Sequence, residues 1–451
     1  MDLVIAGSCT DPSIQVVAIG NAYESAFSVP ESLASLNELL QADEPHLSQK
    51  AVHWATPYGE PDVVVCRRPV RSLARPHPDH VICPVPRTTS ICRDLLADPA
   101  ARDGLLAALD RGRAVHLAAY IVTGHLAAVA NWLSSEGLTL AGWSDATVEL
   151  TDLFASKVEA QRRLYDTEPS LRDLRPAAVV AENAADLDRL VPEFAASHGL
   201  QHVVVKSALG AGGEGVFFVD VDDLGTGPLA DSFGARGYNS ARVEAPFLVE
   251  ERIDAIACPT IDVYVVPGGR SFLCGAYEQR LYDERYFAGF HMLPDTERSE
   301  VPWYRSAVSG AAAIAEVLAC RGYEGPLNVD FLITSTYDIR VAEINVRRSA
   351  LLDGIGRAQR LVGAEAIEVS VADYVETDLA RSLGEVESIV AGIEGVSILL
   401  DGGYESSYRW VSLLAVGPGS SEDRLAEAVL KLSSAAADGV AFDIGDVRSW
   451  R

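Results

Sequence analysis

Val203-Val204-Val205-Lys206-Ser207-Ala208-Leu209-Gly210-Ala211-Gly212-Gly213-Glu214-Gly215-Val216-Phe217-Phe218-Val219 sets a glycine-rich loop between two short runs of strand-forming residues. Gly210, Gly212 and Gly215 match the GxGxxG spacing of dinucleotide-binding domains. That fingerprint needs a helix after the glycines, so that the helix N-terminus meets the pyrophosphate. Val216-Phe217-Phe218-Val219 is β-branched, aromatic and too short to be that helix. No Gly-Lys-Ser/Thr follows, so a P-loop fails as well. The segment therefore reads as a hairpin with a glycine-rich tip. Without Cβ atoms its N–H groups, those of Gly213 included, can approach phosphate oxygens, and Lys206 at the loop entrance supplies a cation for them. Such a loop is a flexible lid over a triphosphate; the bland reading is a glycine-rich surface turn.

Lysine usage supports the lid. The chain has four lysines, at 50, 157, 206 and 431, against thirty-three arginines. Where arginine is so strongly preferred, a retained lysine marks a place that needs a compact ammonium rather than a planar fork.

A second constellation is Asn328-Val329-Asp330-Phe331 followed by Glu343-Ile344-Asn345-Val346-Arg347-Arg348. Glu343 and Asn345 are two apart, so on a strand they share a face. A turn over 335–338 with its register centred on Thr336 and Tyr337 sets Asp330 directly across from Glu343. Two carboxylates and an amide oxygen on one face form an all-oxygen set suited to magnesium, and the flanking Val329, Phe331 and Ile344 are core-like. Between the two constellations, Phe247-Leu248-Val249-Glu250-Glu251-Arg252-Ile253-Asp254 is a strand running into acids. Its end offers backbone groups to an adenine edge and a carboxylate to ribose hydroxyls.

The rest of the chain frames these motifs. Residues 1–150 alternate β-branched runs (62–66, 81–85, 115–122) with helix-like stretches (33–40, 104–109), the pattern of an α/β domain with parallel strands. One amphipathic helix is expected over 151–164, capped by Thr151 or Asp152. Strand signals at 202–206, 216–219, 246–250, 260–266 and 270–277 predict antiparallel sheet, followed by a helix over 306–320 and strands at 327–334 and 339–345. After residue 375 a smaller α+β pattern follows, with strands at 397–400 and 408–416 and a helix at 422–433.

The 451 residues suit about three domains. A net charge of −27, from 64 acidic and 37 basic residues, disfavours nucleic acid and acidic lipid as partners. Seven cysteines without a CxxC pair indicate neither a disulfide framework nor a thiolate zinc site, and a reducing cytoplasm is the expected compartment. His77 and His80 read as solvated loop histidines. The start of the chain lacks the basic n-region of a signal peptide. The uncharged stretch 114–133 reads as a buried strand plus a helix rather than a membrane span.

In this order and spacing, the motifs over about 151–375 resemble the ATP-grasp superfamily. The resemblance implies an α/β (α+β) architecture: a pre-ATP-grasp domain at 1–150, a catalytic domain at 151–375 with its lid at about 176–250, and a C-terminal module at 376–451. It implies that Lys157 and Lys206 bind nucleotide, that Glu250, Glu251 and Ile253 belong to the adenine hinge, and that Asp330, Glu343 and Asn345 hold magnesium, two ions being expected. Arg347 matches the arginine of the Glu-x-Asn-x-Arg pattern, which would hold an acyl phosphate. Where some members carry a further arginine, this chain has Asn328, so that role passes to Arg347, Arg348 or Arg280. Asp283 and Glu284 are weaker candidates for acceptor binding. The activity implied is ATP-dependent joining of a carboxylate to an amine. Gly-Ala-Gly-Gly-Glu-Gly, Asn-Val-Arg-Arg-Ser and the C-terminal module are similar to peptide ligases of the pheganomycin-biosynthesis type, which implies an unusual or N-amidino amino acid joined to a peptide or amino acid amine. A thioester-forming ligase, a carboxylate kinase and a regulatory ATP-binding protein remain as alternatives, and the oligomeric state, a homodimer included, stays open.

Overall fold

The computed structural model describes residues 11–21, 56–67, 80–210, 215–224, 245–282, 286–292 and 295–349, three strands between 368 and 417, and a few single positions and a short turn besides. Three sheets organise them.

The first sheet is parallel, in the order β3-β2-β1-β4, with β1 Ile14–Ile19, β2 Val63–Val65, β3 His80–Ile82 and β4 Ala114–Ala119. Its strands are near-continuous apolar runs because both faces are covered. Helices α1 (Ile91–Ala97), α2 (Pro99–Ala108) and α3 (Gly124–Ser135) pack Leu95, Leu105 and Val129 on one face, while Trp54 and Cys66 lie on the other. The uncharged stretch is thus β4 plus α3, and among the described residues no helix is long and apolar enough to cross a membrane. The stretch 33–40 and His77 lie outside the described residues, as do Asp283, Glu284 and most of the C-terminal helix.

The single helix expected over 151–164 is corrected. Helix α4, Asp145–Phe154, holds Thr151 buried in its interior, and the chain then breaks. Ser156 accepts a hydrogen bond from the Glu159 N–H and so caps a new turn, α5 (Lys157–Ala160), which runs into π-helical Gln161–Tyr165. Serine's competing side-chain bond explains the break, which periodicity alone does not register.

The second sheet, β5-β8-β6-β7, is antiparallel, built from β5 Ala178–Ala181, β6 His202–Ser207, β7 Val216–Asp220 and β8 Phe247–Glu251. Val203, Val205, Phe217 and Val249 face helix α6 (Ala184–His198), which starts at an Asn183 cap and stops at left-handed Gly199. Alternation turns Lys206 and Glu250 to the opposite face, on adjacent strands.

The third sheet has eight strands, β13-β12-β9-β10-β11-β14-β16-β15. They are β9 Pro259–Val266, β10 Arg270–Tyr282, β11 Tyr286–Met292, β12 Gly325–Ile333, β13 Ile339–Asn345, β14 Glu368–Glu376, β15 Ser397–Leu400 and β16 Trp410–Gly417. Helix α7 (Tyr304–Cys320) covers one face, where Ile261, Val263, Leu327, Val329, Phe331 and Ile344 form the core. The alternate residues Thr260, Asp262, Asn328, Asp330, Glu343 and Asn345 therefore share the other face. Strand β10 continues to Tyr282, five residues beyond the expected strand end at 277.

Candidate active site

The expected pairing of Asp330 with Glu343 is present, reached by a different route. The outer rungs Ile333↔Ile339 and Phe331↔Val341 centre the turn on Thr336, and an irregularity then skips Ala342 so that Asp330 meets Glu343. Tyr337 takes the left-handed conformation, φ 63°, in that turn. A bulged residue has a carbonyl the ladder does not use; here the Ala342 oxygen accepts a hydrogen bond from Lys206 Nζ at 2.9 Å.

Lys206 is 8 % exposed and also pairs with Glu250, 6 % exposed, at 2.5 Å. Lys157 arrives from a different element. Val158 beside it packs with Ala208 and Leu248 of the lid sheet, and the Lys157 N–H donates to the Ala208 carbonyl at 2.8 Å. Its ammonium then bonds the Gly210 carbonyl at 3.0 Å and the Glu343 carboxylate at 2.9 Å. The two lysines thus converge on consecutive residues of β13. Gly215, at the far end of the loop, has φ +76°, and a Cβ there would stand 3.1 Å from the Ser207 Cβ; glycine is needed to close the hairpin this tightly. Gly212 and Gly213 lie outside the described residues.

Asp330 is held by three side-chain donors. Thr260 Oγ1 and Gln279 Nε2 (2.8 Å) donate to Oδ1, and Asn345 Nδ2 donates to Oδ2 at 3.2 Å. Burial, reinforced by the Glu343 charge, pushes Asp330 up to about 7 despite the Thr260 bond. Next to it, Asp262 is raised to about 6 by burial, against the opposing bonds from Ser349 (2.7 Å) and Asn328 (3.1 Å). Arg347 closes this row: Nη2 donates to Asn345 Oδ1 at 2.9 Å and Nη1 to the Tyr120 hydroxyl at 2.7 Å.

No family model matches the sequence, and a search of curated proteins finds no match. Solved structures do match. The ADP complex of PurK, an N5-carboxyaminoimidazole ribonucleotide synthetase, superposes with TM-score 0.51 at 15% identity over 95% of this chain and 97% of that chain. N5-carboxyaminoimidazole synthetase from Staphylococcus aureus complexed with ADP gives 0.52 at 12% identity, over 94% and 99%. Biotin carboxylase from Campylobacter jejuni gives 0.51 at 14%, over 78% and 81%. The chain has the ATP-grasp fold.

Within this ATP-grasp fold, Lys157, Lys206, Gly210, Gly215, Glu250, Asp330, Glu343, Asn345 and Arg347 are linked by one continuous run of contacts. Others do not join them as expected. Glu250 and Glu251 have their backbones in the ladder, paired with Val204 and Val203, and the Glu251 carboxylate turns back to the Ala177 N–H at 3.1 Å. The backbone outside the ladder therefore begins at Arg252 and Ile253, past the strand. Arg348 is 1 % exposed, with its guanidinium 5.1 Å over the Trp54 ring, and so is packed into the junction with the first sheet. Arg280 follows Gln279 on β10, and alternation turns it to the other face of the sheet from Asp330. Among the described residues there is no cluster of three His, Cys, Asp or Glu able to hold a metal; the oxygen set depends on the Asn345 amide.

Sequence reasoning missed Thr260, Asp262, Gln279 and Tyr120. The first two carried a signal, since Pro-Thr-Ile-Asp-Val-Tyr-Val-Val puts polar residues at alternate positions of an otherwise apolar, fully buried strand. Tyr120 carried none, because it meets Arg347 across 227 residues.

Proposed function

We propose that the protein is an ATP-dependent ligase that activates a carboxylate as an acyl phosphate and transfers the acyl group to an amine. The finer reading is a peptide ligase that joins an unusual or N-amidino amino acid to a peptide or amino acid amine, a step of specialised-metabolite biosynthesis. The observation that carries it is the convergence of Lys157 and Lys206 on Ala342 and Glu343, opposite Asp330. Two ammonium groups beside a loop of glycines offer the counter-charge a triphosphate requires.

Asp330, Glu343 and Asn345 fit magnesium. All three side chains carry oxygen, and Asp330, raised to about 7 by burial and by the neighbouring Glu343 charge, marks a repulsion that a divalent cation relieves. The Asn345 oxygen accepts from Arg347 and its nitrogen faces Asp330, so holding the ion would require that amide to turn. Magnesium, with two ions proposed, would supply positive charge to the phosphate oxygens. The chain's own groups do the rest. Lys157 and Lys206 bind and orient the phosphates, and the lid hairpin excludes water from them. Arg252 and Ile253 offer backbone groups to the adenine. Arg347 receives the acyl-phosphate oxygens and then steadies the tetrahedral oxyanion formed when a neutral amine attacks. The division 1–150, 151–375 and 376–451 and a cytoplasmic location complete the proposal; the oligomeric state stays open.

Oxygen labelling tests it. A carboxylate carrying ¹⁸O attacks the γ-phosphorus through its own oxygen, and that oxygen leaves with phosphate when the amine displaces it. Phosphate recovered with one ¹⁸O supports the acyl phosphate; phosphate whose added oxygen comes only from water rejects it.

A further inference from the structure

Tyr120 stands just past the end of β4, at the carboxyl edge of the parallel sheet, the edge at which open α/β sheets bind their ligands. Its backbone is held from two sides. The buried Asn21 side chain accepts the Tyr120 N–H at 2.9 Å, and the Tyr120 carbonyl accepts the Arg348 N–H at 2.8 Å. Asn21 in turn donates to the Ile121 carbonyl at 2.8 Å, which fixes the strand end.

So anchored, the ring lies under Arg347 with the guanidinium carbon 5.2 Å from its centroid, and the hydroxyl oxygen accepts Nη1 at 2.7 Å. Nη1 also donates to the Arg348 carbonyl at 3.3 Å, and Nη2 to Asn345 Oδ1 at 2.9 Å. The guanidinium is thereby set by the phenol on one side and by the oxygen row of β13 on the other. A hydroxyl that accepts from a guanidinium retains its own proton for donation. Among the described residues no acceptor takes that proton. Tyr120 and Arg347 are both half-buried, so the phenol and the guanidinium form a donor pair that solvent still reaches.

We propose that Tyr120 contacts the activated carboxylate: it fixes Arg347 against β13 and donates its hydroxyl proton to an oxygen of the anion that Arg347 binds. The assignment rests on the anion-binding role proposed for Arg347 and extends it to a residue of the N-terminal sheet. It also explains why a parallel sheet that holds neither candidate nucleotide lysine is fastened to the strand carrying the magnesium oxygens.

The test uses the full-length protein and inorganic phosphate as the anion, titrated calorimetrically with and without ADP and magnesium, in the native chain and in Tyr120→Phe. Phenylalanine keeps the ring under Arg347 and removes the donor. Loss of one charge-assisted hydrogen bond corresponds to an affinity about 10-fold lower. The expected result is phosphate binding weakened by about that factor with the Kd for ADP and the melting temperature unchanged. Three outcomes overturn the proposal: an unchanged phosphate Kd, equal weakening of phosphate and ADP, or no phosphate binding by the native chain. If the native chain instead binds phosphate but no ADP, the nucleotide reading fails, and the phosphate titration still decides Tyr120.

Discussion

Lys206 and Glu250 are both nearly out of contact with water, and a buried ion pair behaves asymmetrically under mutation: breaking it costs more than replacing it. Lys206→Met leaves the Glu250 carboxylate buried and unpaired, and should destabilise the lid sheet by about 3–5 kcal/mol. Adding Glu250→Gln should return most of that stability while leaving ATP affinity low, because the ammonium is still missing. Hydrogen exchange in β6 and β8, read beside the KM for ATP, separates the two effects; recovery of both in the double variant would remove Lys206 from the nucleotide site. At this scale the sequence was informative wherever a strand's alternation decides direction. Glu343 and Asn345 on β13 were legible for that reason, and so was the pairing of Glu343 with Asp330. Arg347 and Arg348 were not separable, since β13 ends at Asn345 and alternation no longer assigns a face. The packing of Arg348 on Trp54 and the bonds of Arg347 to Tyr120 and Asn345 distinguish them.

At the level of elements, the placement of Lys157 depends on the break between α4 and α5. The Ser156 cap starts a four-residue turn whose first residue is Lys157, and the π-helical turn that follows lets the chain continue toward β5. Ser156→Ala removes the bond to the Glu159 N–H and should cost about 1 kcal/mol. It should raise the KM for ATP with little change in kcat, and Ser156→Thr should restore both. Equal kinetics in Ser156→Ala would mean that packing of Val158 alone seats the lysine. Hairpins and alternation made the strands readable from sequence, whereas the Ala342 bulge was not. A bulge is chosen by what its extra carbonyl meets, here Lys206, which is 136 residues distant.

For the molecule as a whole, the parallel sheet and the eight-stranded sheet are bolted together beside the site. His116 on β4 donates through Nδ1 to the Ala141 carbonyl (3.0 Å) and accepts the Tyr264 hydroxyl of β9 at Nε2 (3.1 Å), the tautomer that both partners require. Burial, the largest cause, and the Arg348 charge lower His116 from 6.5 to about 4, although the Ala141 bond opposes them. The unfolded chain therefore binds more protons between those values, so stability is present above pH 6.5 and is lost as the pH falls toward 4. From pH 7 to 5 that loss should be about 2 kcal/mol from His116 alone. The raised Asp262 and Asp330 act in the opposite sense, so the comparison is between urea unfolding of the native chain and of His116→Phe at both pH values. An identical pH slope in the two would contradict it. Such contacts between sheets pair residues far apart in the chain, which is why the parallel sheet and the antiparallel strands were readable, while the junction and the joining of the strands after residue 375 to the eight-stranded sheet were not.

The proposed reaction uses ATP to activate a carboxylate for an amine. It is tested most directly by measuring ADP and phosphate release from ATP and magnesium, with mass detection of products, across amino acids, N-amidino acids and short peptides. The expected result is ADP and phosphate in equal amounts only when a carboxylate and an amine are both present, together with one amide product. AMP and pyrophosphate, or a product formed without the amine, would contradict it.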